Sequence, residues 1–215
     1  MSTWLSFVNL GLHHILNPEA TDHILFLLAL VAAYRIADWR HLVGVTTAFT
    51  LGHSATLGLA AAGVLRLPER WVEFLIPVTI VLTAGANLAR LGRRPGGTAG
   101  LMAAAAFGLI HGAGFANYLT RMFAGEILVP LFGFNVGIEV GQIVLLAAGM
   151  AGLTLLDRLL RVAGGMPMRV VAASVVVSCR RIVVRLSGSW PHQQFFERVA
   201  QHVCRRPAVA HVWSG

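Results

Sequence analysis

Long apolar runs separated by short polar breaks set the pattern of this chain. Five of them qualify against the roughly 20 apolar residues a helix needs to cross a bilayer: residues 20–37, 42–65, 72–91, 100–119 and 127–156. The runs are continuous rather than alternating, which predicts helices and not the strands of a membrane barrel. The breaks are brief: Asp38-Trp39-Arg40, Arg66-Leu67-Pro68-Glu69-Arg70, and residues 92–97 with Arg93 and Arg94. The last run is long enough to tilt in the membrane or to extend beyond it.

The two ends are weaker. Residues 4–16 are apolar but too short to span, and they stop at Asn17-Pro18-Glu19. That triplet reads as the N-cap, first-position proline and early acid of the next helix. A half-span or interfacial helix is expected there, delivering His13 and His14 to the mouth of the first full helix. Residues 168–186 have an apolar core interrupted by Arg180-Arg181 and are a candidate sixth helix. The expected fold class is all-α: a polytopic helical integral membrane protein with five or six transmembrane helices and a short N-terminal half-span. Residues 1–165 read as a single membrane domain, and 166–215 as the candidate sixth helix with a basic tail.

Composition agrees with this class. Hydrophobic residues make up 56% of the 215, and charged ones only 12%, against about 25% in soluble domains. The net charge of +8 does not point to nucleic acid, because the arginines lie between apolar runs and in the tail. All 17 basic residues are arginine. Arg35, Arg40, Arg90, Arg93, Arg94, Arg158, Arg161 and Arg169 follow the odd-numbered spans, and only Arg66, Arg70 and Arg121 follow the even-numbered ones. The positive-inside rule then places the N-terminus outside, in a multi-pass protein of the cell inner (cytoplasmic) membrane. Residues 1–6 lack the positive region and cleavage site of a removable signal. Cys179 and Cys204 are far apart in sequence, so neither a disulfide framework nor a thiolate metal site is expected.

Against this background a few polar residues stand out inside the apolar runs. Asp22-His23 heads the run 24–33. A carboxylate at the centre of a spanning helix costs roughly 2.5–3.5 kcal/mol on insertion scales, so such groups tend to have a function. In the second span Thr46, Thr50 and His53 share one helical face, with Thr56 at its edge. In the fifth, Asn135, Glu139 and Gln142 share a face beside the small-residue stripe Gly133, Gly137, Gly141, which lets a neighbouring helix approach closely. His111 sits midway along the fourth span. At 1.5 Å per residue His53, His111 and Glu139 each lie roughly 15 Å from a segment end, near mid-membrane. Asp22, His23 and Glu73 fall at segment ends assigned to the outer side, which predicts a shallow entrance and a deeper site.

Plainer readings exist for each residue alone. A membrane histidine often bonds a neighbouring helix, the threonines return hydrogen bonds to their own helix, and Asn135 and Gln142 serve as interhelical glue. Glu73 reads equally as an ordinary first-turn acid. Asp38, Glu69 and Asp157 are loop charges, and His192, His202 and His211 belong to the tail. The coincidence of imidazoles and carboxylates at matched depths on separate helices favours a site for a divalent transition metal, which these ligand types suit.

At these residues the chain resembles the HupE/UreJ family of membrane proteins associated with hydrogenase and urease. The matching stretches are His14-Ile15-Leu16, DHILFLLAL at 22–30, TAFTLGHSATL at 47–57, VEFLI at 72–76, FGLIHGAGFA at 107–116 and FNVGIEVGQ at 134–142. They extend in order from about residue 7 to 150. The resemblance implies a helical permease carrying Ni²⁺, with the histidine and aspartate of the first-helix motif, here His23 and Asp22, needed for transport. The interval from His14 to Asp22 is longer than the family's compact His-x5-Asp-His, and Ala86 stands beside Asn87 where many relatives carry a glutamate.

The function expected from the sequence is a secondary permease for Ni²⁺, with Co²⁺ and Zn²⁺ open as cargo and no organic cofactor. The expected ligands are His14, Asp22, His23, His53, Glu73, His111 and Glu139, oriented by Asn135, Gln142 and Thr50. Histidine binds metal only when neutral, so acid should weaken uptake. No ATPase motif is present, and enzyme activity is not expected. The rivals are a non-transporting assembly factor that presents metal to a nickel enzyme, a b-type haem protein using His53 and His111, and an intramembrane hydrolase using Ser54. The hydrolase lacks a Gly-x-Ser-x-Gly elbow. The partners are the metal ion and the lipid bilayer, with a homo-oligomer left open.

Overall fold

Local signals fix the helix ends in the computed structural model, which describes residues 3–18, 20–66, 68–89, 97–122 and 127–159. Helix α1 (Thr3–Leu16) stops ahead of Pro18, whose ring disfavours a helical residue before it. The Ala20 amide donates to the Asn17 carbonyl at 2.9 Å, closing a turn with proline at its second position. Helix α2 therefore starts at Thr21 with Ala20 as its N-cap, and not at the Asn17-Pro18-Glu19 signal expected to begin it. It ends at Ala32, only 12 residues on. An extended Arg35 and a 3₁₀ turn (Ile36–Asp38) follow, in which the Arg35 amide donates to the Asp38 carboxylate at 3.2 Å.

Helix α3 (Trp39–Ala61) closes in a Schellman motif. Gly63 takes φ 73°, its amide donates to Ala60, and the Val64 amide reaches back to Leu59. Helices α4 (Glu69–Ala89), α5 (Gly97–Met122) and α6 (Leu128–Leu159) complete the described chain, which is all-α. Three stretches among the described residues are long and apolar enough to cross a membrane alone: Ile36–Ala61, Gly97–Ala116 and Leu128–Leu156. Helices α1 and α2, bent by 69° to each other, make a fourth if the pair counts as one broken span. The first expected span, 20–37, is thus not a continuous helix; α2 rises only about 18 Å. The candidate sixth helix at 168–186 and the basic tail lie outside the described residues.

Two helix pairs form the frame. α3 runs along α5, and α1 along α6. Both are parallel: residues 44, 52 and 53 of α3 meet residues 101, 105 and 112 of α5 in the same order. Glycine makes each crossing a backbone contact. A Cβ on Gly52 would strike the Ala105 carbonyl, and one on Gly108 the Phe49 carbonyl. In the other pair Gly11 faces the Phe134 carbonyl and Gly137 the Val8 carbonyl. In all four cases the carbonyl lies three residues before the partner's glycine, so the two crossings repeat one geometry. α2 fits against α4 and α6, and the buried Asn87 amide donates to the Ala29 carbonyl at 2.7 Å.

Candidate metal centre

The break between α1 and α2 places two histidines where continuous helix would not. His14 occupies the last turn of α1, and Asp22 and His23 the first turn of α2. His53 comes from the middle of α3, held by the α3–α5 crossing, because Gly112 has no Cβ to collide with the His53 carbonyl. One ligand atom from each of His14, His23 and His53 lies within 4.8 Å of the others, and all three side chains are buried. Their ring centroids are 4.8 Å (His14–His23) and 6.0 Å (His14–His53 and His23–His53) apart.

His111 on α5 stands next to this group, its ring 5.3 Å from that of His23. Its Nε2 is 2.8 Å from the Thr79 hydroxyl on α4, while its Nδ1 has no hydrogen-bond partner among the described residues. Neither ring nitrogen of His53 has one either. Leaving a buried polar atom unsatisfied costs about 1–3 kcal/mol. A cation bound through the unprotonated nitrogen of each ring would remove that nitrogen's share of the penalty. Imidazole nitrogen suits Zn²⁺, Ni²⁺, Cu²⁺ and Fe²⁺. Two imidazoles on one tetrahedral ion, with bonds of about 2.0 Å, sit roughly 3.3 Å apart at their nitrogens. Closing the observed triangle therefore takes side-chain movements of about 1 Å and no change of fold.

Among the described residues, the three-histidine group contains no carboxylate. Asp22 is buried beside His23 in the chain, and Glu73 is half-buried on α4. Glu139 on α6 is half-buried and accepts a 2.5 Å hydrogen bond from Thr47 on α3. One turn away Thr50 donates to the Gln142 side-chain oxygen at 2.8 Å. Asn135 Oδ1 and Gln142 Nε2 lack partners among the described residues. These groups form a polar seam between α3 and α6 that begins beside the histidines. The expected division into a shallow Asp22–His23 entrance and a deep His53 site is not seen, since His23 and His53 belong to one group. The 69° bend between α1 and α2 accompanies the meeting of His14 and His23.

Sequence reasoning missed Thr79, Asn87 and the contribution of Thr47. A signal was present for two of them. Thr79, Thr83 and Asn87 recur every four residues, the spacing that singled out the stripes on α3 and α6, and all three are buried. The Thr46 and Thr50 hydroxyls do return hydrogen bonds to their own helix, at 2.8 and 3.2 Å. The Thr56 hydroxyl also bonds across to the Leu109 carbonyl of α5 at 2.8 Å.

Comparison with known proteins gives a family. The family model described as HupE / UreJ protein matches residues 1–188, which include every candidate ligand. No curated protein and no solved structure matches the chain.

Proposed function

The chain belongs to the HupE/UreJ family, and on that premise we propose that it is a secondary permease for a divalent transition-metal ion, with Ni²⁺ as cargo. The observation that carries this reading is the buried triangle of His14, His23 and His53, contributed by three separate helices. In this reading α1 and α2 form the first, broken span and α3 to α6 the other four, in the inner membrane with the N-terminus outside. A sixth span at 168–186 would follow them. Discontinuous helices that meet at mid-membrane are a common way to build a transporter's ion site.

His14, His23 and His53 would take the ion, with His111 as the next ligand along, aimed by Thr79. Asp22 and Glu73 would draw the dication in, and Glu139 would offer a carboxylate on its way out. Thr47, Thr50, Asn135 and Gln142 would hold that side chain in place. Energy would come from an ion gradient or from trapping of the metal inside the cell. Co²⁺ and Zn²⁺ suit the same ligands and are tested beside Ni²⁺. No enzymatic role is assigned.

A haem bridging His53 and His111 is disfavoured by sterics. It would need α3 and α5 apart, whereas Gly108 and Gly112 bring their backbones into contact at His53. The assembly-factor reading shares the same site and differs in outcome. The test is radiolabelled Ni²⁺ uptake into cells lacking their own nickel importers, comparing the wild type with Asp22→Asn, His23→Ala and His53→Ala at matched membrane expression. A permease accumulates metal and loses uptake in all three variants. Purified protein that binds Ni²⁺ in cells that fail to accumulate it would establish the assembly factor instead.

A further inference from the structure

Phenylalanines pack against the histidine cluster on two sides. On α5, Phe107, His111 and Phe115 recur every fourth residue, so one phenyl lies a helical turn, about 6 Å, to either side of the imidazole. Because α3 is parallel to α5, Phe49 stands one turn from His53 in the same direction as Phe107 from His111. Phe26 of α2 stacks on Phe49 with centroids 4.7 Å apart and meets Phe107 edge-on at 6.3 Å. This first layer touches the cluster at His111, whose ring is 5.3 Å from Phe26 and 5.1 Å from Phe49. On the opposite side Phe115 stacks on Phe134 of α6, centroids 5.0 Å apart and planes within 6°. That second layer touches His14, 4.5 Å from Phe115 and 5.5 Å from Phe134. Phe26, Phe49, Phe115 and Phe134 are all at most 2% exposed.

A hydrated ion does not cross a closed layer of phenyl rings, and hydrophobic constrictions of this kind gate by excluding water. The layers also join different parts of the frame. Phe115 belongs to the α3–α5 pair and Phe134 to the α1–α6 pair, whereas Phe26 ties α2 to α3. Separating the two glycine-locked pairs would part Phe115 from Phe134.

We infer that these layers are the two gates of the permease: Phe115–Phe134 toward the outside, Phe26–Phe49 with Phe107 toward the inside, both shut in this structure. The inference rests on the permease reading, and its test uses no metal. A probe cysteine, His53→Cys, is placed in a Cys179→Ser, Cys204→Ser background, and the full chain is reconstituted in oriented vesicles. A charged, membrane-impermeant thiol reagent is then added from one side at a time. With all the phenylalanines present the probe should react slowly from either side. Phe115→Ala should speed the reaction on the order of tenfold or more from the outside alone, and Phe49→Ala likewise from the inside alone. Phe115→Leu, which keeps an apolar side chain in the layer, should stay slow, and melting curves for each variant separate gating from misfolding. Equal rates in all variants, or acceleration from the same side by both alanines, would overturn the gates. Failure of nickel uptake would instead count against the permease and leave the accessibility result standing.

Discussion

At His53 the protein keeps an imidazole in an apolar interior with neither nitrogen hydrogen-bonded among the described residues. Such a group lowers stability until something binds it. Replacing it with leucine, of comparable volume, should raise the melting temperature of the metal-free protein, by the equivalent of about 1–2 kcal/mol. The same change should remove the rise in melting temperature that Ni²⁺ gives the wild type, a rise worth about 2.7 kcal/mol at 100 times Kd. Differential scanning fluorimetry in detergent reads both; a destabilised variant that still responds to Ni²⁺ would contradict the assignment. Thr79 acts on the site through His111 Nε2. Thr79→Val should weaken Ni²⁺ binding by about 10- to 100-fold, measured by titration calorimetry, and should also lower the stability of the metal-free protein by about 1–3 kcal/mol, because His111 Nε2 loses its partner. The sequence exposed His23, His53 and His111 because each breaks an apolar run. It also placed His14 at the mouth of the helix that His23 heads, but it gave no sign that His53 joins them in one group, which no helical spacing encodes. Thr79 went unnoticed since threonine is unremarkable in a membrane helix until its partner is known.

Between elements, glycine sets the distance. Gly52 and Gly108 sit against backbone carbonyls, which cannot swing aside as a side chain can. Gly52→Ala or Gly108→Ala should each cost about 1–3 kcal/mol and spread the helices that hold His53. Gly85→Ala on α4 is the control: its Cβ would meet nothing within 4 Å, so it should be neutral or stabilising by about 0.5–1 kcal/mol. Melting temperatures of the three variants decide between these outcomes. The stripe Gly133, Gly137, Gly141 was legible as a close-packing face, but its partner was not, because a small-residue face fits any helix that presents backbone. The half-span α1 fills that role. The shortness of α2 was hidden for a related reason: residues 33–37 are apolar enough to continue a helix, and the turn that ends it is fixed by the Asp38 carboxylate three residues beyond Arg35.

Across the whole molecule, two tryptophans lie where the proposed topology puts the membrane surfaces. Trp39 begins α3 and Trp71 lies in the first turn of α4, each about half exposed, with Arg40 and Arg70 over their rings at 5.4 and 5.8 Å. The 23 residues of α3 separate the two levels by about 34 Å, enough to cross a bilayer. With the N-terminus outside, Arg40→Cys should react with impermeant reagents only from the cytoplasm and Arg70→Cys only from the outside. Labelling in intact cells against inverted vesicles tests this, and the opposite pattern would invert the protein and both of its gates. The arginine distribution was enough to propose this orientation, whereas the convergence of four helices on one cluster required three-dimensional packing.

The broken first span also shapes the electric field at the cluster. Helix α1 ends at Leu16 with His14 in its last turn, so the negative pole of the helix lies beside the histidine cluster. α2 begins across the gap between the two helices and presents its positive pole, which would repel a cation. Asp22, in the first turn of α2, sets an acidic side chain at that pole, the placement that offsets it. The gap thus draws a cation toward the α1 end without being opposed from the α2 end. On this account Asp22 need never touch the metal to be required for its passage.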